Sequence, residues 1–571
     1  MTLVGLVNNM KNKIVDLIAA HVDGLTKEDI ATLIEIPPKP ELGDFAFPCF
    51  RLAKTMRKAP QMIAADIKEA IGDVDFLEEI QVQGAYINFF INKQIFVKSM
   101  LNDAFADNFG SSTVGNGQTI CIDYSSPNVA KNFHVGHLRT TIIGNSLYKI
   151  YSKLGYDVVR INHLGDWGTQ FGKLIVAYKN WGSEEAVKKD GIAELMRLYV
   201  KFHDEANNNP ELNDEARAWF AKMEKGDEEA LSIWQWFKDI SLIEYKRTYD
   251  LLGVDFDFYL GESFYRDKTD NVVKMLTDAN LLTESEGAKI VDLEKYGMAP
   301  CLILKNDGST IYATRDLAAI FYRKATHNFV KCLYVTGQEQ KLHFAQVFKV
   351  VELCGNEWAK DQLVHIPYGL VSLEGAKLST RSGNIIYAED ILLEAIDKIK
   401  TIIEEKNPDL PDKDETAKKI GVGAVLFNDL YNQRIKDVSF KWEKLLNFDG
   451  ETGPYVQYTH ARCSSILRKI DCTPSSEVDY SLISDEESMA LLKEISRFPK
   501  VIADAADKYE PSIVARFAVD VAQSFNKFYN ANRINVEDEA VKNARLSLVY
   551  ITKKTIKDAM ALLGIECPEQ M

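Results

Sequence analysis

The sequence predicts an α/β protein built on a parallel-sheet domain, with a small α+β unit before it and an all-helical region after it. Three observations predict this. A strand-like run, Thr119–Asp123, feeds a glycine-containing turn and then Thr140–Ile150, whose apolar residues recur at helical spacing. Such a strand, turn and helix aim backbone donors and a helix N-terminus at phosphate. A second strand, Asp157–Asn162, runs into another glycine-rich loop, completing a βαβ unit that is right-handed by rule, with ligands expected at the loops after its strands. Beyond Asn407–Glu415 the apolar pattern is almost wholly helical.

Length and composition bound the rest. With 571 residues the chain is too long for one core, so two to four domains are expected, and 46% hydrophobic and 26% charged residues are ordinary for a globular protein. The eight cysteines, at 49, 121, 301, 332, 354, 463, 472 and 567, stand singly. Their spacing indicates neither structural zinc nor a disulfide framework, and reduced thiols in a cytosolic protein are the simplest reading. The N-terminal stretch reads as an amphipathic helix rather than a signal peptide, and no apolar run approaches the ~20 residues that span a bilayer. A net charge of −15 argues against a general nucleic-acid coat, while leaving room for a local basic track.

In chain order, helical runs cover Val4–His21, Asp29–Leu33 and Ala59–Ile71, and Glu79–Gln83 and Ala85–Ile91 read as strands. The proline-rich stretch Pro37–Pro48, carrying Gly43-Asp44, reads as a rigid surface loop whose aromatics pack on the domain. The Gly-, Ser- and Asn-rich link Phe105–Gly117 marks a boundary. Next come Lys131 and the histidines of His134-Val135-Gly136-His137 at a helix mouth, either a polar cap or an apparatus for a nucleoside triphosphate. His163–Gly172 follows the second strand, with Trp167 in a tight turn. Val187–Leu252 is charged and helical, an insertion with a solvated face. Thr310–Tyr322 reads as a strand end turning into a helix with Thr314 as N-cap, and Asp316 in the first turn would suit the helix dipole. A strand over Val330–Thr336 ends at Gly337–Gln346, and a last strand, His365–Val371, leads into Leu373–Asn384. Ile420–Lys436 reads as a connecting helix. The domains are set at 1–112, 113–430 with the insertion at about 187–252, and 431–571.

Several of these strings resemble the arginyl-tRNA synthetase family of class I aminoacyl-tRNA synthetases. His134–His137 is similar to the HIGH signature, within the longer string Asp123–Arg139 that includes Asn128, Lys131, Leu138 and Arg139. Asn162–Gly172 matches the family's Asn-x-x-Gly-Asp-Trp-Gly-Thr-Gln-Phe-Gly string. Lys377-Leu378-Ser379-Thr380-Arg381 resembles KMSKS, departing at Thr380, where the second lysine is missing. Many members lack that lysine and carry one upstream of HIGH, the place of Lys131. Thr452–Lys469 and Ala544–Met571 match strings of the family's C-terminal region.

The resemblance implies a Rossmann-type catalytic domain, an N-terminal domain whose proline-rich stretch, Pro37–Pro48, contacts the tRNA D-loop as the alternative to a merely packed surface loop, and an all-α anticodon-binding bundle. It implies ATP-dependent ligation of L-arginine to tRNA(Arg) through an arginyl-adenylate, releasing AMP and pyrophosphate. ATP would enter with Mg²⁺, no protein-bound metal is expected, and a cytoplasmic monomer without membrane attachment is the family's usual state. His134, His137, Lys131, Lys377 and Ser379 would be catalytic. Gly136, His343, Leu370 and Val371 would hold ATP. Asp123, Asn128, His163, Tyr312, Asp316 and Gln340 would hold arginine. Selectivity for a guanidinium needs planar, bidentate acceptors, and a site built on buried hydrogen bonds rejects analogues by ~10⁴–10⁵ without editing. The competing readings are another class I synthetase or small-substrate nucleotidyltransferase, and a non-enzymatic paralogue that senses tRNA or amino acid. Two further points stay open on the sequence. Arg545 is a buried salt-bridge partner or an RNA contact, and Tyr455, Tyr458, Phe525, Phe528 and Tyr529 are core or stacking platforms for bases.

Overall fold

The computed structural model of the chain describes residues 6–373, 376–377, 387–470 and 472–571. The first domain folds an antiparallel sheet in the order β1-β3-β2, from β1 (Phe45–Pro48), β2 (Leu77–Gln83) and β3 (Tyr86–Ile91). Helices Leu6–Ala19 and Pro60–Ile71 bury Ile14, Ile18, Ile63 and Ile67 in its core. The expected proline-rich loop thus contains a strand, because Phe45 and Phe47 alternate into that core beside β3. Gly43 there has φ +93, and a Cβ would lie 2.9 Å from the Phe89 carbonyl oxygen, so only glycine fits. Asp44 accepts from the Ile91 amide at 3.0 Å and pairs with Lys493 of the C-terminal bundle at 2.7 Å. The Gly-Asp pair therefore ties the domain together. Helix Lys93–Phe105 docks on the bundle, its Phe105 ring stacked on Tyr550 at 4.7 Å.

The central sheet is parallel throughout, in the order β11-β10-β4-β5-β6. Its strands are β4 (Thr119–Asp123), β5 (Asp157–Asn162), β6 (Phe258–Tyr259), β10 (Lys331–Gly337) and β11 (Leu363–Tyr368). The middle strands read as unbroken apolar runs because both faces are covered: Ile120, Cys121 and Ile122, like Cys332 to Val335, are buried. The chain moves outward from β4 to β6 and returns on the other side at β10. The carboxyl ends of β4 and β10 therefore flank a topological switch point, where ligands bind in such sheets.

Four helices, Thr169–Trp181, Glu184–Asn208, Glu211–Glu224 and Glu228–Leu252, pack around Phe171, Leu195, Phe202, Trp219 and Phe237. This helical layer starts at Thr169, earlier than the charged stretch alone suggests, because the first helix is apolar on the face it offers the others. A small antiparallel sheet of β7 (Leu282–Ser285), β8 (Ala288–Val291) and β9 (Cys301–Leu304) lies between β6 and β10. The expected strand His365–Val371 is divided. β11 ends at Tyr368, and β12 (Val371–Leu373) joins a separate sheet with β13 (Ala376–Lys377) and β14 (Val438–Phe440). Thr314 is not an N-cap. The helix Tyr312–His327 begins after Ile311, and the buried Thr314 hydroxyl donates to the Ile303 carbonyl at 2.6 Å. That start places Asp316 in the second turn.

The C-terminal bundle comprises Gly453–Lys469, Glu486–Ser496, Phe498–Asp507, Ser512–Ala531 and Glu539–Leu562. The expected helix at Ile420–Lys436 spans Lys413–Leu430 and packs on Gly453–Lys469. Phe525 and Phe528 are core, whereas Tyr458 and Tyr529 are exposed at 41% and 37%. Among the described residues, Arg545 donates to the Arg533 carbonyl at 2.7 Å rather than to a carboxylate.

Candidate active site

The first signature opens helix Val135–Lys153 with histidines doing what Ser and Glu do in a capping box. The Gly136 amide donates to His134 Nδ1 at 3.0 Å, and the His134 amide donates to His137 Nδ1 at 3.3 Å. The rings stack with centroids 3.8 Å apart. An acceptor Nδ1 leaves the ring proton on Nε2, so both imidazoles present an Nε2–H donor. Burial pushes His134 below the usual imidazole range, helped by Lys131, and holds His137 well below it, helped by His134 and Lys131. The pair is thus neutral near pH 7. A Cβ on Gly136 would meet His134 Cε1 at 2.8 Å, so glycine is what lets the ring fold back over the helix mouth. The cap and the chemistry use the same atoms.

Of the other expected residues, Asn128 and Lys131 lie on the loop that leads into this mouth. Asn128 is exposed and its side chain lies over Gly165, while Asn128 and Gly165 form a parallel bridge. Lys131 is half-buried. Tyr387, the first described residue after the second signature, pairs its backbone with His134 and accepts from Asn132 Nδ2 at 3.0 Å. Lys377 stands on β13 opposite Ser372. Ser379 and the departure Thr380 lie outside the described residues, as do Leu378 and Arg381. Leu370 is 49% exposed and Val371 is buried, at the turn between β11 and β12.

The expected arginine pocket has a different charge layout from the one the sequence suggests. Asp123, at the end of β4, accepts from Ser126 Oγ at 2.9 Å and pairs with Arg323 Nη1 at 2.7 Å, both partners almost fully buried. One of the two carboxylates expected to face a guanidinium therefore already faces an internal one. Arg323 also donates from Nη2 to His163 Nδ1 at 3.2 Å, which leaves the His163 proton on Nε2, 4.0 Å from Asp316 Oδ1. The other Asp316 oxygen meets His343 Nε2 at 2.6 Å, and the His343 ring lies 4.9 Å from the exposed Tyr312 ring. Gln340 is exposed just before helix Lys341–Leu353. The structure thus brings Asp123, His163, Asp316, His343 and Tyr312 into one chain of contacts through Arg323. The sequence did carry a signal for Arg323: a basic residue seven after Asp316 on the apolar stripe with Ile320.

A second guanidinium braces the site from below. Arg139, fully buried, donates to the carbonyls of Gly369, Leu370, Arg434 and Lys436 at 2.8–3.1 Å and lies 3.3 Å from Asp429. It fixes the first helix to the turn leading toward the second signature.

The chain is similar to known proteins along nearly its whole length. The family model "tRNA synthetases class I (R), catalytic domain" matches residues 99–442. "Arginyl tRNA synthetase N terminal domain" matches 8–91 and "DALR anticodon binding domain" matches 456–571. The chain is 53% identical over 566 residues to the arginine–tRNA ligase of Alkaliphilus metalliredigens, covering 99% of this chain and 100% of that protein. It is 55% identical over 565 residues to that of Clostridium perfringens, covering 98% and 100%. Among solved structures it is similar to the arginyl-tRNA synthetase of Thermus thermophilus, at 25% identity and a TM-score of 0.82 over 99% of this chain and 100% of that one. The chain belongs to the arginyl-tRNA synthetase family of class I aminoacyl-tRNA synthetases.

Proposed function

We propose that the residues gathered at the switch point carry out the ligation of L-arginine to tRNA(Arg) in two steps. The arginine carboxylate attacks the α-phosphate of ATP and displaces pyrophosphate. A terminal tRNA hydroxyl then attacks the arginyl carbonyl and displaces AMP. Such chemistry is positioning plus electrostatics. The observation that carries the reading is the stacked, neutral His134–His137 pair at a helix N-terminus beside the switch point. Its Nε2–H donors are assigned to the charge that develops on the α-phosphate, where one preorganised donor is worth ~10²–10³ in rate. Lys131 is assigned to the β- and γ-phosphates together with Lys377 and Ser379 of the second signature. Adenine is assigned to the surface of Gly136, Leu370, Val371 and His343. Mg²⁺ is taken to enter on the ATP phosphates, as part of the substrate.

For arginine, Asp316 is assigned to the guanidinium, with Tyr312, His163 and Gln340 around it and Asn128 on the amino group. Asp123 serves this pocket through Arg323, which it neutralises. The N-terminal domain, 1–112, is assigned to the tRNA D-loop and the C-terminal bundle to the anticodon. Supporting the latter, Arg462 lies under the exposed Tyr458 and Tyr529 rings at 4.9 and 5.6 Å, a surface on which unpaired bases can stack. A monomer is taken as the working state, as the family resemblance implies, and the eight free thiols suit the reducing cytoplasm.

ATP–pyrophosphate exchange with each of the twenty amino acids, with and without tRNA(Arg), tests the reading. The expected result is exchange with arginine alone, and only when tRNA is added. Exchange driven by another amino acid, or none with arginine, would overturn it.

A further inference from the structure

The last helix of the insertion, Glu228–Leu252, lies along the back of the first signature loop. Ser241, Tyr245 and Tyr249 recur at four-residue spacing and so share one face, and all three are buried. Each ends on the loop. Ser241 Oγ accepts from the Ala130 amide at 2.9 Å while donating to its own helix at Phe237. The Tyr245 hydroxyl lies 2.6 Å from the Asn128 carbonyl and 2.7 Å from that of Lys131. The Tyr249 hydroxyl meets Ser125 Oγ at 2.7 Å and accepts from Asn162 Nδ2 at 2.9 Å. Toward the N-terminal end of the same helix, Trp234 and Lys238 reach the Asp166 carbonyl and carboxylate, each at 2.7 Å.

The loop needs such partners. Ser125, Ser126 and Ala130 have φ of 71, 47 and 60, left-handed conformations that non-glycine residues hold only when their surroundings over-determine them. Its own backbone supplies two short-range bonds, Ser126 amide to Tyr124 carbonyl at 3.0 Å and Lys131 amide to Asn128 carbonyl at 3.2 Å. Two more tie it to Gly165, from the Val129 amide to the Gly165 carbonyl at 3.1 Å and from the Gly165 amide to the Pro127 carbonyl at 3.0 Å. One phenolic proton shared between two carbonyls three residues apart closes the turn that presents Lys131. Burial pushes the Tyr245 phenol up, so it remains a donor throughout the working pH range.

We propose that this stripe of hydroxyls, Tyr245 foremost, is a positioning element that holds the strained loop and thereby places the Lys131 ammonium beside His134 and His137. The inference rests on the assignment of Lys131 to the ATP phosphates. It makes the insertion part of the catalytic apparatus although none of its side chains touches the reacting atoms.

Tyr245→Phe keeps the ring, which packs 5.8 Å from Phe133, and removes only the clamp. In arginine-dependent ATP–pyrophosphate exchange with tRNA(Arg) present, kcat should fall ~10–100-fold, the size of effect a misplaced group produces. In a Lys131→Ala background the same substitution should change kcat by less than about threefold, because its route to the reaction is gone. Ser241→Ala, which frees only the Ala130 amide, should also lower kcat several-fold and lose that effect without Lys131. A wild-type kcat in Tyr245→Phe, or an equal loss in both backgrounds, would overturn the proposal. Should Lys131→Ala alone exchange at the wild-type rate, the assignment of Lys131 fails and the proposal falls with it. A wild-type chain inactive with arginine would instead refute the functional reading.

Discussion

Arg323 and Asp123 meet at 2.7 Å with almost no exposure to solvent, so the floor of the proposed arginine pocket is an ion pair made by the protein itself. Breaking a buried pair by removing one partner leaves an uncompensated charge and costs about 3–5 kcal/mol. Arg323→Met should therefore lower the unfolding free energy by that order. Arg323→Lys should retain more stability yet raise the KM for arginine at least tenfold, because one ammonium cannot serve both Asp123 and His163. Denaturant titration and arginine-dependent exchange check the two halves, and wild-type values in both variants would contradict the pairing.

Asp316 is shared between two histidines, one oxygen toward His163 and the other on His343. Asp316→Ala should raise the KM for arginine about 100-fold or more, since it removes the half-buried carboxylate that the guanidinium would pair with. The released His343 should raise the KM for ATP by a smaller factor. Equal effects on the two substrates, measured by steady-state exchange, would remove Asp316 from the guanidinium site.

How much of this was readable in advance follows from what each segment packs against. β4, its turn and helix Val135–Lys153 were legible because apolar period and glycine placement agree, and the two histidines announced themselves by type. β1 was hidden by flanking prolines. β7 exposes three of its four residues and so carries no apolar signature, and β6 has only two residues. The strand over His365–Val371 was read as one although Pro367 and Gly369 within it are the residue types that interrupt strands. That break is set from outside, by Arg139 and the loop at Arg434–Lys436. Asp123, His163, Tyr312 and Asp316 were expected together, but the residue that joins them was not: Arg323 pairs with Asp123 across 200 residues of sequence, and only the closed sheet shows it. The hydroxyls of Ser241, Tyr245 and Tyr249 looked like ordinary members of a solvated insertion for the same reason.

A buried histidine sets a pH limit on the C-terminal bundle. His460 is fully buried, and its Nδ1–H donates to the Pro568 carbonyl at 3.0 Å. Burial pushes its pKa down to about 4 from 6.5. The native ring stays neutral where the unfolded one takes up a proton, so its contribution is complete above pH 6.5 and is lost as pH falls toward 4. The loss amounts to about 3 kcal/mol, at ~1.4 kcal/mol per pKa unit. His460→Asn, which keeps a donor for Pro568, should flatten the fall in denaturant midpoint between pH 6.5 and 4. An unchanged slope would assign the acid sensitivity elsewhere.

The most direct test of the account is single-turnover arginyl-adenylate formation by His137→Ala with tRNA(Arg) present, measured beside equilibrium arginine binding. The neutral Nε2–H donor of His137 is assigned to the transition state and to no ground-state contact with arginine. Adenylate formation should fall ~10²–10³-fold, the loss expected for one preorganised donor, while arginine affinity stays within about twofold. Adenylate formation at a near-wild-type rate would contradict the account.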